Sequence, residues 1–255
     1  MSKIVFITGA TSGIGEACAH KFAGEGWDII ITGRRMERLQ ELEKSLRSKY
    51  GTEVLVCCFD VRNRKEVEKT VAELTGKWRH PDVLINNAGL AVGKGPIQEG
   101  VYDDWERMID TNVKGMLYMC REIASVMIGN GKGHIINISS LAGHETYPGG
   151  NVYCGTKHAV RSISRGMRMD LVKHGIKVSV VSPGAADTEF SLVRYKGDQA
   201  QADKTYEGFV PLKAEDVAES IFFIATQPPH VNIEEIFILP TAQASSTLIH
   251  RNNNR

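Results

Sequence analysis

The chain has 255 residues, is 42% apolar and carries a formal net charge of +1. That balance can build a sizeable core and gives no bulk attraction to nucleic acid or an anionic membrane. No apolar run reaches the roughly 18 residues of a membrane span, and five cysteines without a Cys-x-x-Cys pair read as reduced thiols of a cytoplasmic protein.

Met1-Ser2-Lys3 runs directly into an apolar stretch at 4–8, so no secretory leader is expected. The stretch opens onto Gly9-Ala10-Thr11-Ser12-Gly13-Ile14-Gly15 and then a helical pattern over 16–25. Strand, glycine turn and helix start together form a phosphate cradle, with free N–H groups and a positive dipole end at the helix N-terminus. Gly9 permits the tight turn, Gly13 lets backbone approach a pyrophosphate, and Gly15 lets helix and strand pack closely. Thr11, Ser12 and Ile14 complete the candidate cradle; a plain loop is the alternative.

Further apolar runs at 28–32, 54–59, 83–86, 135–139, 178–182 and 236–239 read as buried strands, several continuous rather than alternating. Helical stretches fall between them at 36–49, 64–76, 103–129, 151–174 and 214–226. Alternating strands and helices predict an α/β fold: a doubly wound, Rossmann-type parallel sheet of about seven strands with helices on both faces, in one domain over 1–255. Ligand then belongs beyond the carboxyl ends of the strands. Gly9, Arg34, Asp60, Asn87, Ser140 and Pro183 each follow one of those ends.

The second strand ends Gly33-Arg34-Arg35, where NAD-specific sites commonly place an acid. Arginine pairs bidentately with phosphate, so NADP(H) is expected, with Arg34 and Arg35 on the 2′-phosphate. A helix start with solvated charges is the alternative, and Glu37 is the residue that argues for NAD. Tyr153 and Lys157 share one helical face. The ammonium is expected to lower the phenol's pKa and fit it for acid–base work. Ser140 is placed to bind the same oxygen; Ser139 is its rival, and strand alternation sends only one toward the site. The eight histidines show no metal-ligand spacing, and no metal is expected. His144 and Tyr147 receive no role.

Thr8-Gly9-x-x-x-Gly13-x-Gly15, Asn86-Asn87-Ala88-Gly89, Asn112, Ser140, Tyr153-x-x-x-Lys157 and Pro183-Gly184-x-x-x-Thr188 occur in the order of the short-chain dehydrogenase/reductases, which the chain resembles along nearly its whole length. The resemblance implies Tyr153 as general acid and base, Ser140 on the reacting oxygen, and Lys157 on Tyr153 and the nicotinamide ribose. It implies that Asn112 distorts its helix and positions a proton-relaying water; an exposed polar residue is the alternative. It also implies Asp60 and Val61 at the adenine, with an N-cap as the alternative for Asp60. Asn87, Ala88 and Gly89 are implied at the ribose, and Pro183, Gly184 and Thr188 at the carboxamide and pyrophosphate. A homotetramer is usual in that family.

A segment of about 185–213, with little strand pattern, is expected to be a lid. Its Thr188-Glu189-Phe190-Ser191 and Lys196-Gly197-Asp198 resemble the NADP-dependent 3-hydroxy acid dehydrogenase branch, which includes serine and malonic semialdehyde oxidoreductases. A small 3-hydroxy or 3-oxo acid is then the substrate and Arg194 the cation for its carboxylate, with a surface arginine as the alternative. Another carbonyl substrate is the rival reading, and a non-catalytic NADP-binding regulator a remote one. A polar tail follows over about 241–255; its residues 242–249 are expected to dock on a neighbouring subunit, and 252–255 to be disordered.

Overall fold

The computed structural model describes residues 2–252. Seven parallel strands form one sheet in the order β3-β2-β1-β4-β5-β6-β9. They are β1 (Ile4–Ile7), β2 (Asp28–Gly33), β3 (Val54–Cys58), β4 (Val83–Asn86), β5 (Gly133–Ile138), β6 (Ile176–Pro183) and β9 (Glu235–Ile238). In register, Phe6 lies between Ile30 and Leu84, and Ile136 between Ile85 and Ser179. The order reverses between β1 and β4, and that switch point opens the crevice in which open α/β sheets bind ligands.

Helices α1 (Gly13–Gly24), α2 (Met36–Tyr50) and α9 (Ala214–Ala225) cover one face. There Phe22 meets Trp27 and Phe222 edge to face at 5.1 Å each. The second face is covered by α3 (Arg64–Ala72), α5 (Met116–Asn130) and α6 (Asn151–Leu171). Met119, Ile123 and Met127 recur at helical spacing and are fully buried against Leu84, Ile135 and Val178. Burying each such side chain contributes about 1.5–3 kcal/mol, which is why the continuous apolar runs become strands covered on both sides.

Three expectations are corrected. Asp60 does not cap the third helix; Asn63 does, accepting the N–H groups of Lys65 and Glu66. The helix expected over 64–76 stops at Ala72, and Gly76–Arg79 forms a separate 3₁₀ turn. The helix expected over 103–129 is α4 (Tyr102–Ile109), a π-helical turn over Asp110–Gly115, and then α5.

The segment 185–213 is structured rather than an open loop. It carries β7 (Ala186–Asp187), α7 (Phe190–Arg194), α8 (Gln199–Lys204) and β8 (Leu212–Lys213), and the two short strands pair in parallel at its base. Lys196, just past α7, sits at φ 55° and bonds Asp104 of α4 at 2.7 Å. The tail folds back onto its own chain. Gln243 accepts the Ala185 N–H at 2.8 Å, the Ser246 N–H binds Glu145, and the Asn252 N–H binds Gly208. The disorder expected from 252 onward otherwise lies outside the described residues.

Candidate active site

A cleft of about 760 Å³ runs along the carboxyl ends of the strands. It gathers Gly9, Thr11, Ser12, Gly13, Ile14, Arg34, Arg35, Asp60, Val61, Asn87, Ala88, Gly89, Ser140, Tyr153, Lys157, Pro183, Gly184, Thr188 and Arg194. Of the residues singled out in the sequence, Gly15 and Asn112 lie just behind this lining. A methyl group on Gly15 would sit 2.3 Å from the Gly9 carbonyl oxygen, so α1 reaches the turn only because that position is bare.

The first turn of α1 faces the cleft. Its N-cap, Ser12, makes no side-chain cap bond, which leaves the leading N–H groups for an anion. At the end of β2, a methyl on Gly33 would lie 2.7 Å from Thr11 Cγ2, so an acid there would force a shift. Arg34 is exposed and sits 3.8 Å from Asp60. Every nitrogen of Arg35 has an acceptor: Nε and Nη2 on Thr11 Oγ1, Nη2 also on Ser12 Oγ, and Nη1 on Glu189. Burial works to raise the Asp60 carboxyl, but the bonds from Arg62 outweigh it and hold the group below the usual range. Free helix N–H groups, two arginines and no acid at Gly33 fit a dinucleotide with a 2′-phosphate.

Deeper in, Tyr153 is buried near Ser140 and covered by Phe190 of α7, ring to ring at 5.6 Å. Ser140 Oγ accepts the Ala142 N–H, whereas Ser139 Oγ turns away to the Lys157 carbonyl. Lys157 Nζ donates to the Ile138 carbonyl at 2.9 Å and lies 5.9 Å from the Tyr153 ring centre.

The expected effect of Lys157 on Tyr153 is not seen. Burial raises the Tyr153 pKa, repulsion from Tyr147 adds to it, and the nearby Ser140 hydroxyl offsets only part. Burial also lowers Lys157 to about 8, so the amine is still mostly charged at neutral pH but gives up its proton more readily than an exposed lysine. Desolvation is the largest influence on both groups.

Asn112 lies on the π turn and is buried, which excludes an exposed helix face. Its side chain accepts the Leu90 N–H and donates to the Leu90 carbonyl, both at 2.8 Å, and donates to Thr156 Oγ1 at 3.0 Å. A methyl on Gly89 would stand 3.2 Å from Asn112 Oδ1 and 3.3 Å from Lys157 Nζ, so the bare glycine leaves room for both groups.

Arg194 is half-buried rather than a surface arginine. Its guanidinium carbon lies 5.3 Å from the Tyr147 ring centre and 5.8 Å from that of Tyr153. Its Nε is buried without a hydrogen-bond partner. His144 points elsewhere, to Glu235 at 2.6 Å.

A family model described as short chain dehydrogenase matches residues 3–198. The chain belongs to the short-chain dehydrogenase family. This short-chain dehydrogenase is 47% identical over 250 residues to the NADP-dependent 3-hydroxy acid dehydrogenase YdfG of Salmonella typhi, covering 97% of this chain and 99% of that protein. It is 46% identical to sulfoacetaldehyde reductase 2 of Chromohalobacter salexigens, over 96% of this chain and 97% of that one. A solved structure described as the closed form of serine dehydrogenase complexed with NADP+ superimposes with a TM-score of 0.91 at 45% identity, covering 98% of this chain and all 100% of the other.

Tyr147, Glu189 and Gln243 are among the cleft residues that carried no role in the sequence reading, and Arg38 binds Glu189 from beside the lining. Tyr147 stood in a readable place, since the loop joining Ser140 to Tyr153 has to pass over the site. No local pattern marks Gln243, which reaches the cleft only through the fold of the tail.

Proposed function

We propose that this short-chain dehydrogenase interconverts a small 3-hydroxy acid and its 3-oxo acid with NADP(H). The chain is an oxidoreductase, and its cofactor is NADP(H). When bound, the nicotinamide carries the hydride. Tyr153 gives the proton to the carbonyl oxygen, and Ser140 hydrogen-bonds that same oxygen. A phenol held protonated by burial suits this reductive direction. Lys157 and Asn112, both beside Gly89, would pass a replacement proton inward through a water, and Lys157 would hold the ribose hydroxyls.

Arg194 carries the choice of substrate. Its guanidinium lies beside the reacting tyrosine, and its Nε is a buried donor in want of an acceptor. A carboxylate one or two carbons from the carbonyl would satisfy it, in a bidentate pair. A sulfonate-bearing aldehyde is the second reading, favoured by the similarity to sulfoacetaldehyde reductase 2. We also propose that the chain assembles as a homotetramer in the cytoplasm; all five cysteines are unpaired, as a reducing compartment requires.

The test is steady-state oxidation of L-serine, D-threonine, 3-hydroxypropionate and 2-hydroxyethanesulfonate with NADP and with NAD. Turnover of the acids with NADP is expected. Activity confined to neutral alcohols would overturn the reading.

A further inference from the structure

Glu189 stands where the lid meets the cofactor end of the cleft. It immediately precedes α7, the helix that brings Phe190 over Tyr153 and Arg194 to its side. Its carboxylate receives Arg38 Nη1 at 2.6 Å and Arg35 Nη1 at 3.3 Å. Arg35 is fixed from its other side by Thr11 and Ser12 of the glycine turn. Glu16, in the first turn of α1, faces the same cluster; burial raises its pKa, and Glu189 adds to the rise. Two carboxylates therefore balance two guanidiniums before any phosphate arrives.

We propose that Glu189 sets the affinity for the cofactor's 2′-phosphate and couples that phosphate to the lid. The inference rests on the NADP reading above. A dianionic phosphate entering beside Arg34 and Arg35 meets a cluster that is already neutral. It has to draw Arg35 away from Glu189, or bear the repulsion of that carboxylate. Glu189 thus lowers the affinity for a 2′-phosphate and leaves a ligand without one little affected. Coupling free energies are reciprocal, so the phosphate must weaken, by the same factor, the Arg35 and Arg38 contacts through which Glu189 tethers the start of α7. The charges are half-exposed, which limits the effect to a modest one.

The experiment titrates 2′,5′-ADP and 5′-AMP into the full chain and into Glu189→Gln, at one ionic strength. Glu189→Gln is expected to tighten 2′,5′-ADP by about threefold or more and to leave 5′-AMP unchanged. Trypsin cleavage after Lys196, with each ligand saturating, reads the lid. In the parent it should be faster with 2′,5′-ADP than with 5′-AMP, and in Glu189→Gln the two rates should match. An equal shift for both ligands, no shift, or weaker 2′,5′-ADP binding would overturn the proposal while the NADP reading stands. A parent chain that fails to prefer 2′,5′-ADP over 5′-AMP would remove the NADP reading and this proposal with it.

Discussion

Arg194 stacks across the rings of Tyr147 and Tyr153, 5.3 Å from one centre and 5.8 Å from the other. One cation thus faces both the candidate acid and the loop that follows Ser140. Truncating it separates charge recognition from proton transfer. Arg194→Ala should raise KM for carboxylate and sulfonate substrates by about 30-fold or more, the scale of a lost buried charge partner. KM for neutral alcohols should stay within about threefold. Equal losses on both substrate classes would remove Arg194 from substrate binding.

Tyr153→Phe keeps the ring that Phe190 covers and deletes the hydroxyl near Ser140. Turnover should fall by about 10²–10⁴-fold, the range for a lost general acid. NADPH binding, followed by nicotinamide fluorescence, should be retained. A variant as fast as the parent would exclude the phenol from the reaction.

Lys157 gives a pH-dependent term in stability. Burial takes its pKa from an ordinary 10.5 down to about 8. Between those values the unfolded chain holds a proton that the folded chain has released, so stability rises with pH across the window. The cost of burying the charged amine is fully present below pH 8 and is relieved as pH climbs toward 10.5. Relative to Lys157→Met, the parent should gain on the order of 2–3 kcal/mol between pH 7 and pH 10. Urea unfolding at several pH values measures it, and parallel curves would show that the amine is not desolvated.

Phe22 anchors the aromatic cluster under α1 and α9 and is fully buried. Phe22→Ala should cost about 3–5 kcal/mol in chemical denaturation. It is remote from the cleft, so kcat per folded molecule should hold. A loss below about 1 kcal/mol would mean that the cluster collapses to fill the cavity.

The seven strands were readable because a strand buried on both faces has to be continuously apolar, as Ile29 to Ile31 and Ile135 to Ile138 nearly are. The cleft lining was readable for a related reason. Turns at the carboxyl ends of parallel strands converge, so residues distant in sequence, such as Gly9, Asn87 and Ser140, share one opening. Short elements escaped. α7 and α8 have five and six residues, too few for a helical period to show, and β7 and β8 have two each. The tail's return onto the lid depends on Gln243 meeting the Ala185 N–H, a contact with no local signature. The Tyr153 pKa was misjudged because spacing reports who its neighbours are, while desolvation depends on everything packed around them.

The widened turn over Asp110–Gly115 has a consequence for how this chain can vary. It accommodates one residue more than regular winding would, so α4 and α5 are out of phase by that residue. A single deletion there would let the two segments fuse into one uninterrupted rod. The rod would still lie against the sheet, but Asn112 would swing off Leu90 and Thr156 toward another side of the axis. Length at this point is therefore constrained more tightly than composition. A chain one residue shorter here should keep its sheet and lose the Asn112 bonds to Leu90 and Thr156.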